Sequence, residues 1–282
     1  IIVEKEISGR VLGRELQTPT GVAVSKRGTL YAVDAGNNRI IRFAEEFNAA
    51  VEIGGFGRQA GLLDRPTYLS IDNDLNLWVS DVGNRRIVRF DAELRFVDEI
   101  RLTDEEDQLK FGESRGVIGT RFGEVWIADY TNSRLAIFDH VGQFDRFAGE
   151  YGSDAGPLLR PEKMILTPED TFVVCDAGNR RLVLFDEYGN SAGEMYPRIF
   201  DYPCGVDIDE RRQLWVVDRD KSRITCLRMN GEVLLTVGPV IPGAARPLSS
   251  PEDIAVAADG RLIIADTGNN RLLVCRVAYE SR

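Results

Sequence analysis

The sequence is short of the residues on which much enzyme chemistry rests. Its 282 residues include one histidine, His140, so any mechanism that needs two imidazoles is excluded. Cysteine is sparse: Cys175, Cys204, Cys226 and Cys275 lie 29, 22 and 49 residues apart, and none forms a Cys-x-x-Cys pair. That spacing excludes a zinc ribbon and a thioredoxin-like redox couple, and the number is too small for a disulfide scaffold. Three of the four sit in apolar runs such as TFVVCD and RLLVCRV and read as buried free thiols. No run reaches ~18 uncharged apolar residues, so membrane insertion is not expected. Glycine-rich loops of the Walker or dinucleotide-binding type are absent, as is long helical periodicity. Positive charge is also in deficit, with 35 Lys and Arg against 45 Asp and Glu and a net charge of −10. A polyanion spread over the whole surface is therefore disfavoured, while a local basic patch is still compatible with that balance. What remains, 43% hydrophobic and 28% charged, is the composition of an ordinary globular chain.

What the sequence does contain is a repeat. A short phrase recurs as YAVDAGNNRI, WVSDVGNRRI, WIADYTNSRL, VVCDAGNRRL, WVVDRDKSRI and IIADTGNNRL. Its aspartates are Asp34, Asp81, Asp129, Asp176, Asp218 and Asp266, spaced by 47, 48, 47, 42 and 48 residues. Each is followed five positions later by arginine, and preceded by fifteen positions by proline, except that Ser114 takes the proline's place in the third unit. One array over residues 1–282 accounts for the whole chain, with no domain boundary inside it.

Each unit reads as four short strands. In the second, TYLSID, LWVSD, RIVRFD and FVDEIRL are rich in β-branched and aromatic residues and are parted by the turn sequences NDLN, VGN and AELR. Six such units of about 47 residues describe an all-β, six-bladed propeller of four-stranded antiparallel blades. The sixth unit supplies three strands and stops, so the amino-terminal VEKEI is expected to complete it and close the ring.

The run PTGVAVSKRGTLYAVDAGNNRI resembles the NHL repeat, and the likeness extends over essentially the whole chain. The resemblance implies a six-bladed propeller and, for most members, a non-catalytic interaction platform, with some RNA-binding, sensor and enzymatic relatives. It is almost silent on activity, because function lives in sites grafted on a scaffold.

The repeated residues read as scaffold. The aspartate is expected to accept turn N–H groups while the arginine's fork matches its carboxylate. Gly36, Gly83, Gly178 and Gly268 are expected to supply positive φ in the turn. Departures from the repeat are where function should show. The two positions after each proline, or after Ser114, fall at the channel mouth: Thr20 and Gly21, Thr67 and Tyr68, Arg115 and Gly116, Glu162 and Lys163, Cys204 and Gly205, Glu252 and Asp253. Tyr68, Arg115, Glu162, Lys163 and Asp253 are the expected ligand-binding residues there. On the hairpin face beside them, Arg85, Tyr130, Arg180 and Arg219 are the expected contacts.

No residue is assigned a catalytic step. A protein or peptide partner, or a small polar ligand, is the expected occupant, and a monomer the expected state. No cofactor is required. Glu162 in RPEK and Glu252 in SPED are similar in position to the glutamate of calcium-dependent lactonases of the gluconolactonase type, so a Ca2+ site, if present, would use Glu162, Glu252 and Asp253. A companion set of Asn and Asp ligands is not identifiable. The amidating lyase related to NHL proteins and the streptogramin lyases share this type of fold but rely on histidines, and His140 in FDHVGQF falls in a turn between outer strands. RNA binding is a third reading: the hairpin face carries ten cations against seven carboxylates, but six arginines belong to the repeat, leaving Arg85, Arg180, Arg219 and Lys221 outside it. The acidic TDEEDQL at 103–109 reads as a solvated loop, and DNDLN at 72–76 as a hairpin turn. The chain opens on Ile1 rather than Met, which points to removal of upstream residues, and export to the periplasm or outside the cell is preferred to the cytoplasm.

Overall fold

The second strand of every unit, such as LYAVD or LWVSD, is apolar at nearly every position and does not alternate. Such a strand must be covered on both faces, and stacking blades around an axis does this. The computed structural model describes residues 1–102, 111–150, 156–195 and 199–278, so the stretch at 103–109 lies outside the described residues. It contains six four-stranded antiparallel sheets, in five of which the strands follow chain order. In the second blade they are Pro66–Ile71, Leu77–Asp81, Arg86–Phe90 and Phe96–Arg101.

The innermost strands are Pro19–Val24, Pro66–Ile71, Ser114–Gly119, Pro161–Leu166, Pro203–Ile208 and Asp253–Val256. Each packs against the next and the last against the first, so they ring a central channel. Between blades lie apolar layers: Trp126 and Trp215 are fully buried, and Trp126 stacks on Phe172 of the following blade with ring centroids 3.8 Å apart. Each buried Leu, Ile or Phe in these layers contributes about 1.5–3 kcal/mol. All four cysteines are buried and unbridged.

Closure follows the expected route. Ile2–Ile7 pairs antiparallel with Arg271–Arg276, with Ile2 opposite Arg276 and Ile7 opposite Leu272. The first strand of the chain thereby becomes the outer strand of the last blade, and the two ends of the described chain share one sheet.

A clamp holds the hairpin face of each blade. In five blades the repeat aspartate accepts three hydrogen bonds. One comes from a backbone N–H seventeen residues earlier, at 2.7–3.1 Å. The second comes from the asparagine three residues on, at 2.8–2.9 Å. The third comes from the arginine Nε five residues on, at 2.6–3.1 Å. The backbone donor belongs to the loop entering the blade rather than to the aspartate's own turn, so the carboxylate ties first, second and third strands together. The arginine then reaches a glutamate of the outer strand, as in Arg86–Glu99 at 2.6 Å and Arg181–Glu194 at 2.5 Å. In the sixth blade that glutamate is Glu6, 2.8 Å from Arg271, so the amino-terminal strand carries the matching charge.

The turn glycines play a different part from the one expected. Positive φ falls two positions later, at Asn38, Arg85, Arg180 and Asn270, and at the equivalent Ser133 and Ser222, with φ between 46° and 59°. Gly83 is needed for close approach: its N–H donates to Asp64 O at 2.8 Å, and a Cβ would stand 2.3 Å from Asp64 Cγ. The same approach recurs at Gly36, Gly178 and Gly268.

Blade five departs from this pattern. Its phrase DRDKSRI lacks the asparagine, Asp218 accepts the N–H groups of Asp201 and Tyr202 at 3.0 Å, and Arg223 Nε stays 3.8 Å away. Arg86→Gln should therefore cost about 3–5 kcal/mol, as for a broken buried pair, whereas Arg223→Gln should cost about 1 kcal/mol or less. Equal losses in urea unfolding would contradict the assignment. Deleting residues 1–8 should lower the melting temperature markedly through blade six; an unchanged melting temperature would refute closure by this strand.

Candidate functional site

The channel is filled by an alternation between blades. Two positions after the repeat proline, or after Ser114, blades one, three and five carry Gly21, Gly116 and Gly205, and blades two, four and six carry Tyr68, Lys163 and Asp253. Each glycine lies against the large residue's backbone in the next blade. A Cβ on Gly21 would meet Thr67 O at 2.9 Å, on Gly116 the Glu162 O at 2.7 Å, and on Gly205 the Asp253 Cα at 2.7 Å. Three small positions make room for three large ones, and Tyr68, Lys163 and Asp253 are all buried.

These residues satisfy one another. Lys163 Nζ donates to Asp253 Oδ1 at 2.7 Å and to Ile254 O at 2.8 Å, while Asp253 Oδ2 accepts Val22 N–H at 2.9 Å. Glu162, also buried, accepts Tyr202 O–H at 2.8 Å and Tyr68 O–H at 3.3 Å, with Arg115 Nε 3.8 Å away. Burial raises the Glu162 carboxyl above its usual range, against the pull of Arg115 and Tyr202. Burial and then Glu162 push the Tyr68 phenol well up, so it is a donor and not a phenolate. Burial pushes Asp253 up to about 6 despite Lys163, and Glu252 up to about 7, with Glu162 adding to the second shift and Arg219 and Arg115 opposing it. Cys204 is buried, its thiol held well above its ordinary value by burial and then by Glu252, which leaves no thiolate nucleophile at this mouth.

Above this layer two guanidinium groups lie on tyrosine rings. Arg115 sits 4.8 Å over Tyr130 and Arg219 3.8 Å over Tyr202. The two phenols meet at 3.2 Å. Arg219 also lies 3.6 Å from Glu252 and 3.2 Å from Asp220. Both arginine side chains keep outer surface, 26% exposed for Arg115 and 29% for Arg219. Arg115 Nε is shielded and makes no hydrogen bond.

The expected residues thus come together in two groups. Tyr68, Glu162, Lys163 and Asp253 converge on the channel as its buried filling, while Arg115, Tyr130 and Arg219 form the surface around the mouth. Arg85 and Arg180 stand farther out on the turns, exposed, with Arg85 bonded to Phe111 O at 3.1 Å and Arg180 3.9 Å from Asp201. Tyr202 escaped the sequence reading because it precedes the proline by one position, outside the pair of positions that defined the mouth. Among the described residues no three His, Cys, Asp or Glu side chains gather as a cation would require. Glu162, Glu252 and Asp253 instead face Arg115, Arg219 and Lys163. His140 is exposed in the turn between third and fourth strands of blade three.

The comparisons agree with this architecture. The NHL repeat model matches residues 16–43 and 248–275. Protein brain tumor of Drosophila melanogaster is 28% identical over 131 residues, which is 46% of this chain and 13% of that much longer protein. Among solved structures, a streptogramin B lyase superposes with a TM-score of 0.69 at 14% identity, over 96% of both chains. A catalytically inactive, histidine-to-alanine form of virginiamycin B lyase from Staphylococcus aureus, with quinupristin, gives 0.67 at 18% identity over 95% of this chain and 84% of that one. At such identities the structural likeness carries the fold alone. The chain is a six-bladed β-propeller that matches the NHL repeat at residues 16–43 and 248–275.

Proposed function

We propose that the protein is a non-catalytic binding platform whose hairpin face and channel mouth capture a protein or peptide through an acidic group. The observation that carries this reading is the pair of part-exposed guanidinium groups, Arg115 over Tyr130 and Arg219 over Tyr202, with Arg115 also 3.5 Å from Glu113. Stacking fixes each fork before a partner arrives, which lowers the entropy lost on forming a bidentate bond to a carboxylate. Behind them the polar groups of the channel are already paired, so binding need not reorganise the core. The chain's one histidine, His140, lies on a turn between the outer strands of blade three, which supports a reading without histidine chemistry. No cofactor enters the reading.

Glu252 gives the site a pH dependence. Its carboxyl titrates near 7, and when ionised it competes for Arg219. As pH falls from 8 to 6 the carboxylate is neutralised, the mouth gains positive charge, and an acidic ligand should bind roughly three- to fivefold tighter. The probe is a fluorescein-labelled decapeptide of alternating Glu and Gly, with a Lys and Gly counterpart, read by anisotropy. Binding of the acidic peptide should strengthen toward pH 6, lose that dependence in Glu252→Gln, and weaken at least tenfold in the double variant Arg115→Ala, Arg219→Ala. Equal retention of both peptides would overturn the reading. Stronger retention of single-stranded RNA, lost steeply with salt, or hydrolysis of a small lactone with calcium, would replace it with one of the other two functions.

A further inference from the structure

The channel's other end, on the face opposite the hairpins, is an open funnel of about 480 Å3. That volume lies within the roughly 300–1,000 Å3 range of small-molecule sites. Aliphatic side chains such as Val24, Ile71 and Leu166 line it together with polar ones, among them Ser70, Asp72, Lys163, Asp170 and Asp207. The residues four positions after the repeat proline, or after Ser114, are equivalent here: Ala23, Ser70, Ile118, Ile165, Asp207 and Ala255. Five are neutral; Asp207 alone is charged.

Asp207 has no cation of its own. Its carboxylate accepts Val256 N–H at 2.7 Å and Ile208 N–H at 2.8 Å, and among the described residues no Lys or Arg pairs with it within 4 Å. Lys163, whose charge acts on it, already spends its direct contact on Asp253. Lys163 thus acts on two carboxylates while touching only that of Asp253; burial raises the Asp207 carboxyl against the pull of Lys163, and each Asp207 oxygen keeps a lone pair after its single backbone bond. At the rim, Arg121 is taken by Asp170 at 2.6 Å and Lys26 lies 3.4 Å from Asn73. A charge in such a place is costly unless a counter-ion meets it.

We infer that the funnel binds a small organic cation, an alkylammonium group whose charge meets Asp207 while its aliphatic body lies on the channel walls. The backbone bonds of Asp207 explain why an acceptor stands there, since one of them straps blade five to blade six. They do not explain why it is a charged acceptor where Ser70 and the alanines suffice elsewhere in the ring. This site is independent of the arginine mouth, from which the buried Tyr68, Lys163 and Asp253 separate it.

The test is calorimetric titration of the full chain with n-hexylammonium chloride, hexan-1-ol and sodium hexanoate. Hexylammonium should bind at least tenfold tighter than either of the others, and Asp207→Asn should weaken it at least tenfold. Ser70→Leu, which narrows the funnel from another blade and leaves every backbone bond of Asp207 in place, should weaken it too. The double variant Arg115→Ala, Arg219→Ala should bind hexylammonium as the parent does, so failure of the mouth and failure of the funnel are read separately. Binding of hexylammonium no tighter than hexan-1-ol, or retained in full by either funnel variant, would overturn the inference. If Asp207→Asn does not fold, Ser70→Leu and the three-ligand order decide it.

Discussion

Each blade depends on one buried carboxylate. In all but the fifth, the aspartate ending the second strand collects a backbone N–H from the entering loop, an asparagine amide and an arginine, so one residue fixes the relation of three strands. Its burial would be costly if any partner were missing, and the chain therefore repeats the partners with it. The arginine extends the same device to the outer strand through a glutamate. Because Glu6 stands in for that glutamate in the last blade, ring closure uses the arginine–glutamate interaction found in blades one to four. A propeller has no single core, and these clamps set the geometry in which the inter-blade layers pack.

With the blades fixed, the inner strands are free to vary, and their variation determines what the channel does. Glycine in alternate blades allows Tyr68, Lys163 and Asp253 to occupy the space between them, which splits the channel into two ends of unlike chemistry. One end presents guanidinium groups braced on tyrosines. The other mixes aliphatic walls with polar groups, Asp207 among them. Both characters come from single positions at which one blade breaks with its neighbours, the economical way for a repeat scaffold to acquire a site.

Much of this was legible in the sequence. The Asp and Arg register specified six blades, the three-stranded sixth unit required the amino-terminal strand, and Tyr68, Glu162, Lys163 and Asp253 were placed together by counting from the proline. Two things were not legible. The turn glycines were read as conformational, because the close approach of a loop seventeen residues away has no local signature; only the tertiary contact of Gly83 with Asp64 reveals it. Burial at the mouth was equally hidden. A pattern of tyrosine, lysine and acids reads alike whether the side chains meet a ligand or one another, and the pairing of Lys163 with Asp253, ninety residues apart, needs the closed ring. Tyr202 and Asp207 were missed for a related reason, since each lies just outside the two positions counted.

The account rests on a division between repeated arginines that serve the scaffold and departing arginines that serve the mouth. Phenylglyoxal modification of the native protein, read residue by residue by mass spectrometry, tests it most directly. Arg39, Arg86, Arg181 and Arg271, whose side chains are at most 5% exposed, should stay unmodified until the protein unfolds, while Arg115 and Arg219 react in the folded state. Modification of the clamp arginines as fast as Arg115 and Arg219, or inertness of the latter two, would contradict the account.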